Sequence, residues 1–143
     1  MSEFISRFRV QLPDSPRAPG RARRTVLSRL ADTVTAAVAA DVGLLVSELV
    51  TNSVLHANVG AGTIDVAVSL LPGRLRLTVS DPGGDTVPHL VAREPKRPGG
   101  LGLFLVETLS SSWGVKRERG GVVRVWCEIP LDDAVEPDRL SPR

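Results

Sequence analysis

The 143-residue chain has a single cysteine, Cys127. It can form no internal disulfide, and one thiol cannot supply the four ligands of a structural zinc site. Set between Trp126 and Glu128 in an alternating run, Cys127 reads as a small core hydrophobe, the usual state of a free cysteine, rather than as a redox or nucleophilic thiol. Aromatic residues are as scarce: Phe4, Phe8, Phe104, Trp113 and Trp126 are all there are, too few for a single-stranded nucleic-acid platform of stacked rings. Polar positions interrupt every apolar stretch before the roughly 20 residues a membrane span needs, so no integral membrane protein is expected. Met1 to Arg7 lack the basic start, apolar stretch and small-residue cleavage site of a secretory signal, which points to a cytoplasmic location.

What is present suits one globular domain. A 42% apolar and 24% charged composition excludes whole-chain disorder, collagen-like repetition and a coiled coil, and the length falls within the common single-domain range. The net charge of +2 implies no nucleic-acid partner unless the charge is clustered. It is clustered: residues 1–31 carry seven arginines against Glu3 and Asp14, while residues 32–92 carry two arginines against six acids. Arg17, Arg21, Arg23, Arg24 and Arg29 read as a solvated helix face or as a docking surface for an acidic protein, with nucleic-acid contact the weakest option.

Hydrophobic spacing supplies the elements. Residues 4–12 alternate as a strand ended by Pro13, and Asp14 or Ser15 can cap a following helix with Pro16 at its first position. Val26, Leu27, Leu30 and Val34 then share a helical face, although Pro19 and Gly20 weaken the first turn. Asp41 is placed to cap a second helix over 42–58. Residues 63–70 and 74–81 alternate around Pro72-Gly73 as an antiparallel hairpin. Residues 82–100, rich in proline and glycine, form the longest irregular interior stretch. A helix over 101–112, strands over 114–118 and 122–129 joined at Gly120-Gly121, and a disordered tail over 131–143 complete the chain.

Three segments carry candidate chemistry. Glu48, Asn52 and His56 are spaced i, i+4, i+8 and form one ridge of the second helix, which is either its solvent face or the lining of a polar pocket. A carboxylate can deprotonate a hydroxyl while an amide oxygen ligates Mg²⁺, a pairing that suits phosphoryl transfer. Asp81 closes a strand before Pro82-Gly83-Gly84; it can accept from a purine amine, and Gly83 lets backbone approach a ring, although the same residues also make a plain turn. Gly99-Gly100-Leu101-Gly102-Leu103 opens a helix whose N–H groups can hold phosphates, but the chain has neither the P-loop nor the dinucleotide-binding glycine pattern. Lys96 and Arg97 lie nearby, as phosphate contacts or as a solvated pair.

In order, Glu48-Leu-Val-Thr-Asn52-Ser-Val-Leu-His56, Asp81-Pro-Gly83 and Gly100-Leu-Gly102-Leu103 resemble the N, G1 and G2 boxes of the GHKL (Bergerat-fold) ATP-binding superfamily, and within it the anti-sigma-factor serine kinases. The resemblance spans about residues 4–130. It implies an α/β (α+β) two-layer sandwich: a mixed, mainly antiparallel sheet with helices on one face. It also implies a cytoplasmic regulator that binds ATP and Mg²⁺, sequesters a sigma factor and phosphorylates a serine of a STAS-type anti-anti-sigma partner, with no direct nucleic-acid or membrane contact and with homodimerisation. Glu48 then matches the catalytic base and Asn52 the Mg²⁺ ligand. His56, Asp81, Gly83, Lys96, Gly100, Leu101, Gly102 and Leu103 join Asn52 around the nucleotide, Asp81 recognising adenine. Arg17, Arg21 and Arg24 match the partner-binding region.

Two positions depart from the pattern. Asp85 stands where a second G1 glycine belongs, and Arg124 where relatives carry a threonine near the adenine; both are expected to weaken nucleotide binding. The alternative is a non-catalytic partner-switching module that binds nucleotide weakly or not at all. A complete histidine kinase is disfavoured, because the chain is too short to add a phosphoacceptor helix pair. DNA binding through the basic first helix would show a steep salt dependence.

Overall fold

The structure, a computed structural model, describes residues 6–56, 62–81 and 100–131. Five strands, β1 (Ser6–Pro13), β2 (Thr63–Leu71), β3 (Arg74–Asp81), β4 (Ser112–Arg117) and β5 (Val123–Pro130), form one sheet in the order β1-β2-β3-β5-β4. All four described pairings are antiparallel. The β2–β3 hairpin forms as its alternation predicts, and Gly73 takes the positive φ of 76° that its tight turn requires. After β3 the chain crosses through helix α3 (Gly100–Leu109) to the outer strand β4, then returns to fill the gap beside β3 with β5.

Helices α1 (Ala18–Leu30) and α2 (Ala36–His56) pack on each other, and both lie against the sheet. Helix α1 starts later than Pro16: a turn closed by Ala18 N–H donating to the Ser15 carbonyl (3.0 Å) precedes it, and Pro19 sits in its first turn, where a missing N–H costs nothing. Its buried residues, Ala18, Ala22, Val26 and Leu30, recur every fourth position. Helix α2 begins at Ala36 rather than Val42. The Thr35 hydroxyl accepts from Val38 N–H at 3.2 Å and caps the helix, so Asp41 lies within it.

By length and composition α2 is apolar enough over Ala36–Leu55 to cross a membrane, contrary to the expectation that polar positions interrupt every such stretch. Its polar residues are too few to lower the mean hydropathy of the stretch. Val42, Leu45, Val46, Leu49 and Val50 are nonetheless buried within the central core cluster, each contributing about 1.5–3 kcal/mol relative to exposure, as expected of a core helix. Inward-facing Ile64, Val66, Val68, Leu75, Leu77, Val79, Val125 and Cys127 complete that cluster from the sheet. Burial pushes the Cys127 thiol up to about 12, with Glu128 adding to the rise, as befits an inert core cysteine. Of the expected irregular stretch over 82–100 and tail over 131–143, residues 82–99 and 132–143 lie outside the described residues, while Gly100 already belongs to α3.

Candidate functional site

Helix α2 carries Glu48, Asn52 and His56 at the expected spacing in its C-terminal half. Around them Leu45, Leu49, Val50 and Ser53 are buried, whereas Glu48 and Asn52 are half-buried. Glu48 and Asn52 therefore lie at the margin of the core, neither fully inside nor in bulk water. Thr51, between the two, turns its hydroxyl onto the Ser47 carbonyl at 2.6 Å and is spent within the helix. The Asn52 Oδ1 atom is buried and accepts no hydrogen bond. An amide oxygen removed from water without a donor costs about 1–3 kcal/mol.

Asp81 is the last residue of β3, 7% exposed, in register with Val123 of β5. Helix α2 packs against both β3 and α3, so the strand that ends in Asp81 and the helix that opens with Gly100-Leu101-Gly102-Leu103 border the helix bearing the ridge. The first N–H groups of α3 have no intrahelical partner.

A further acidic group here escapes sequence reasoning. Asp14 does not cap α1. Its N–H donates to the Gly62 carbonyl at 3.3 Å, beside the start of β2, and its Oδ2 is buried without a partner. Burial, and then repulsion from Asp81, hold its carboxyl above the usual range. The only signal in the sequence was its place directly after a strand, which suits a cap equally well.

Arg17, Arg21 and Arg24 are exposed on α1 and, with Pro16 and Gly20, surround a shallow cavity of about 410 Å³. Arg124 lies elsewhere than expected. It occupies the sheet face opposite Asp81, where its Nε donates to Ser80 Oγ at 3.2 Å and its guanidinium pairs with Glu118 at 3.1 Å. Strand alternation turns Val123 and Val125, not Arg124, toward the helices, so Arg124 does not stand in for a hydroxyl beside Asp81. Gly83, Asp85 and Lys96 lie outside the described residues.

The sequence matches the histidine kinase-like ATPase domain family over residues 12–126. It is 34% identical to the serine-protein kinase RsbW of Staphylococcus aureus strain JH9, over 56% of this chain and 59% of that protein, and to the same degree to RsbW of strain Newman. The chain thus spans about 59% of the length of these curated relatives. Among solved structures, it superposes on the histidine kinase domain of the Erythrobacter litoralis EL346 blue-light activated histidine kinase with a TM-score of 0.52 at 33% identity, over 65% of this chain and 47% of that one. The Acinetobacter baumannii histidine kinase AdeS shares the fold alone, with a TM-score of 0.53 at 10% identity over 88% and 68% of the two chains.

Proposed function

The chain belongs to the histidine kinase-like ATPase domain family, and from that membership we propose that it binds ATP with Mg²⁺, phosphorylates a serine of a STAS-type anti-anti-sigma partner and sequesters a sigma factor. In this reading residues 4–130 are the ATPase unit, acting in the cytoplasm as a homodimer without touching nucleic acid or membrane. The similarity to a serine-protein kinase supports it. The observation that carries it is the buried, unpartnered Asn52 oxygen, one turn along the same ridge from Glu48.

A hard oxygen of this kind fits Mg²⁺, which takes most of its remaining ligands from water and phosphate. The described residues hold no cluster of three or more His, Cys, Asp or Glu that could bind a metal, and a phosphate-borne cation needs none. When bound, Mg²⁺ supplies charge neutralisation on the phosphates. Glu48 accepts the proton of the partner's serine hydroxyl as the serine oxygen bonds to the γ-phosphorus. The bond from that phosphorus to the β–γ bridging oxygen breaks, and ADP leaves. Asp81 accepts from the adenine amine. His56, Gly83, Lys96 and the Gly100–Leu103 turn close around the nucleotide, and Arg17, Arg21 and Arg24 meet an acidic partner surface.

Titration calorimetry with ATP and ADP, with and without Mg²⁺, tests the pocket, and transfer of label from ATP to the partner tests the chemistry. Glu48→Ala is expected to abolish transfer and leave ATP binding intact, and Asn52→Ala to remove the Mg²⁺-dependent part of the affinity. ATP affinity unchanged by Asp81→Asn would overturn the pocket. Binding without transfer by the unaltered chain would leave the non-catalytic partner-switching module in its place.

A further inference from the structure

Helix α2 has only two charged residues, Asp41 and Glu48, in its 21 positions. Its apolar character therefore continues round to the outward face, and less than half of its membrane-like window, 44%, is buried. Leu44 and Leu55 are 41% and 52% exposed, on the side of the helix opposite buried Val46, Leu49 and Ser53. With Thr51, whose hydroxyl is already spent on the Ser47 carbonyl, they form a crest spaced i, i+7, i+11. Exposed Ala37 and Ala40 carry that crest back toward the start of the helix. Two exposed leucines alone would be ordinary. What sets these apart is the neighbouring helix.

The arginines of α1 border the crest. Arg23 and Leu27 pack over Gly43, where an added Cβ would meet each at 3.3 Å. The connection over 31–35 turns the chain back, so α1 runs alongside α2 in the opposite sense. Arg24 then stands level with Leu44, and Arg21 and Arg17 follow in the direction of Thr51. The Arg24 guanidinium folds back over Gly20, beside the cavity of about 410 Å³ that Arg17 and Arg21 also line. None of these three arginines pairs with an acid among the described residues, and the first turn of α1 carries no acid. On the other flank of the crest Glu48 lies one turn from Leu44, on the side of Asn52.

We propose that the outward face of α1 and α2 docks an acidic amphipathic helix of a protein partner, with Leu44 and Leu55 as its apolar anchors. This rests on the reading of Arg17, Arg21 and Arg24 as partner-binding, and adds that charge is half of what they recognise with. Unpaired cations beside an apolar strip are matched by the reverse arrangement, acids beside leucine-like side chains. A second copy of the same face would set arginine against arginine, and a nucleic acid would leave the leucines uncovered. The anchors lie about 17 Å apart along the axis, roughly three turns. Two packed helices offer a third helix a groove of that length, in which apolar residues spaced by turns supply the anchors. A helix seated there lies alongside Glu48, so the same contact that holds the partner brings it to the proposed base.

Fluorescence anisotropy of a labelled synthetic helix of about 18 residues, leucine along one face and glutamate on the rest, tests this face on the full chain. A peptide of the same composition with its leucines scattered is the control. The patterned peptide is expected to bind, and the scattered one to bind about tenfold more weakly or worse. Leu44→Ser/Leu55→Ser should weaken the patterned peptide about tenfold at every salt concentration, whereas Arg21→Ser/Arg24→Ser should remove the salt dependence of its binding. Neither pair should move the melting curve, because all four side chains are exposed. Equal binding of the two peptides, or none, would overturn the proposal. Sensitivity to the arginine pair alone would remove the apolar anchors and leave the arginine reading standing; sensitivity to the leucine pair alone would take the arginines out of the interface, and both readings with them. Cosedimentation of the chain with phosphatidylserine vesicles, lost in both variants, would assign the face to an anionic membrane instead.

Discussion

On the outer sheet face Glu128 lies between Arg74 and Arg76, at 3.3 and 2.7 Å. Burial pushes its carboxyl up, but the hydrogen bond and charge of Arg76, with help from Arg74, outweigh burial and hold it below the usual range. At the far end of β1 the balance is reversed: Asp14 has a buried oxygen without a partner, and burial and Asp81 both raise its carboxyl. Asn52 on α2 likewise keeps an unpartnered buried oxygen. The Arg74–Glu128–Arg76 cluster has spent its charges on itself, whereas Asp14 and Asn52, like Asp65 Oδ1 farther along the outer face, keep an acceptor without a hydrogen-bond partner. Unsatisfied groups of this kind are tolerated where a ligand is to supply the missing partner.

The contrast can be broken at several points. The largest effect is expected from Glu48→Ala, which should remove phosphoryl transfer to the partner while the melting curve stays where it was; a matching loss of stability would move Glu48 into the self-satisfied class. Next comes Gly114→Ala. Its new methyl would meet the Trp126 ring at 2.8 Å and should cost about 1–3 kcal/mol in denaturant unfolding, without changing ATP binding.

Asp14→Asn should stabilise the chain, by on the order of 1 kcal/mol at neutral pH, as expected for relief of a poorly satisfied acidic group. An acid whose folded pKa is raised loses folding stability as pH climbs from its ordinary value, 3.8, through the raised one. The gain from the substitution should therefore open above that range and vanish below it, as thermal melts across pH would register. The smallest effect belongs to Glu128→Gln, about 1 kcal/mol or less because its arginine partners are partly exposed. Here the sign is opposite. The lowered carboxyl stabilises above its ordinary value of 4.5, and that contribution disappears as pH falls through the depressed pKa, so variant and parent should converge in acid.

Much of the fold was legible because strands announce themselves by alternation: β3 falls at residues 74–81 as expected, and β2 differs only by including Leu71. The start of α2 was not, because Ala36-Ala37-Val38-Ala39-Ala40 suits a helix or a turn equally, and the Thr35 cap settles what propensity leaves open. The ridge of Glu48, Asn52 and His56 was legible as spacing, but no sequence pattern says that the Asn52 oxygen lacks a donor. Asp14 stayed hidden because its significance arises across two neighbouring strands. Arg124 was misplaced for a simpler reason: its face is set by counting alternate residues from Val123, and one step of parity separates the two sides of the sheet.

That parity has a further consequence for how this chain tolerates length changes. One residue inserted within β5 would turn every later side chain over, sending Trp126 and Glu128 inward and Cys127 and Ile129 into solvent. Two residues would restore the alternation. Insertions that survive in this strand should therefore come in even numbers, and an odd one should persist only where a bulge absorbs it.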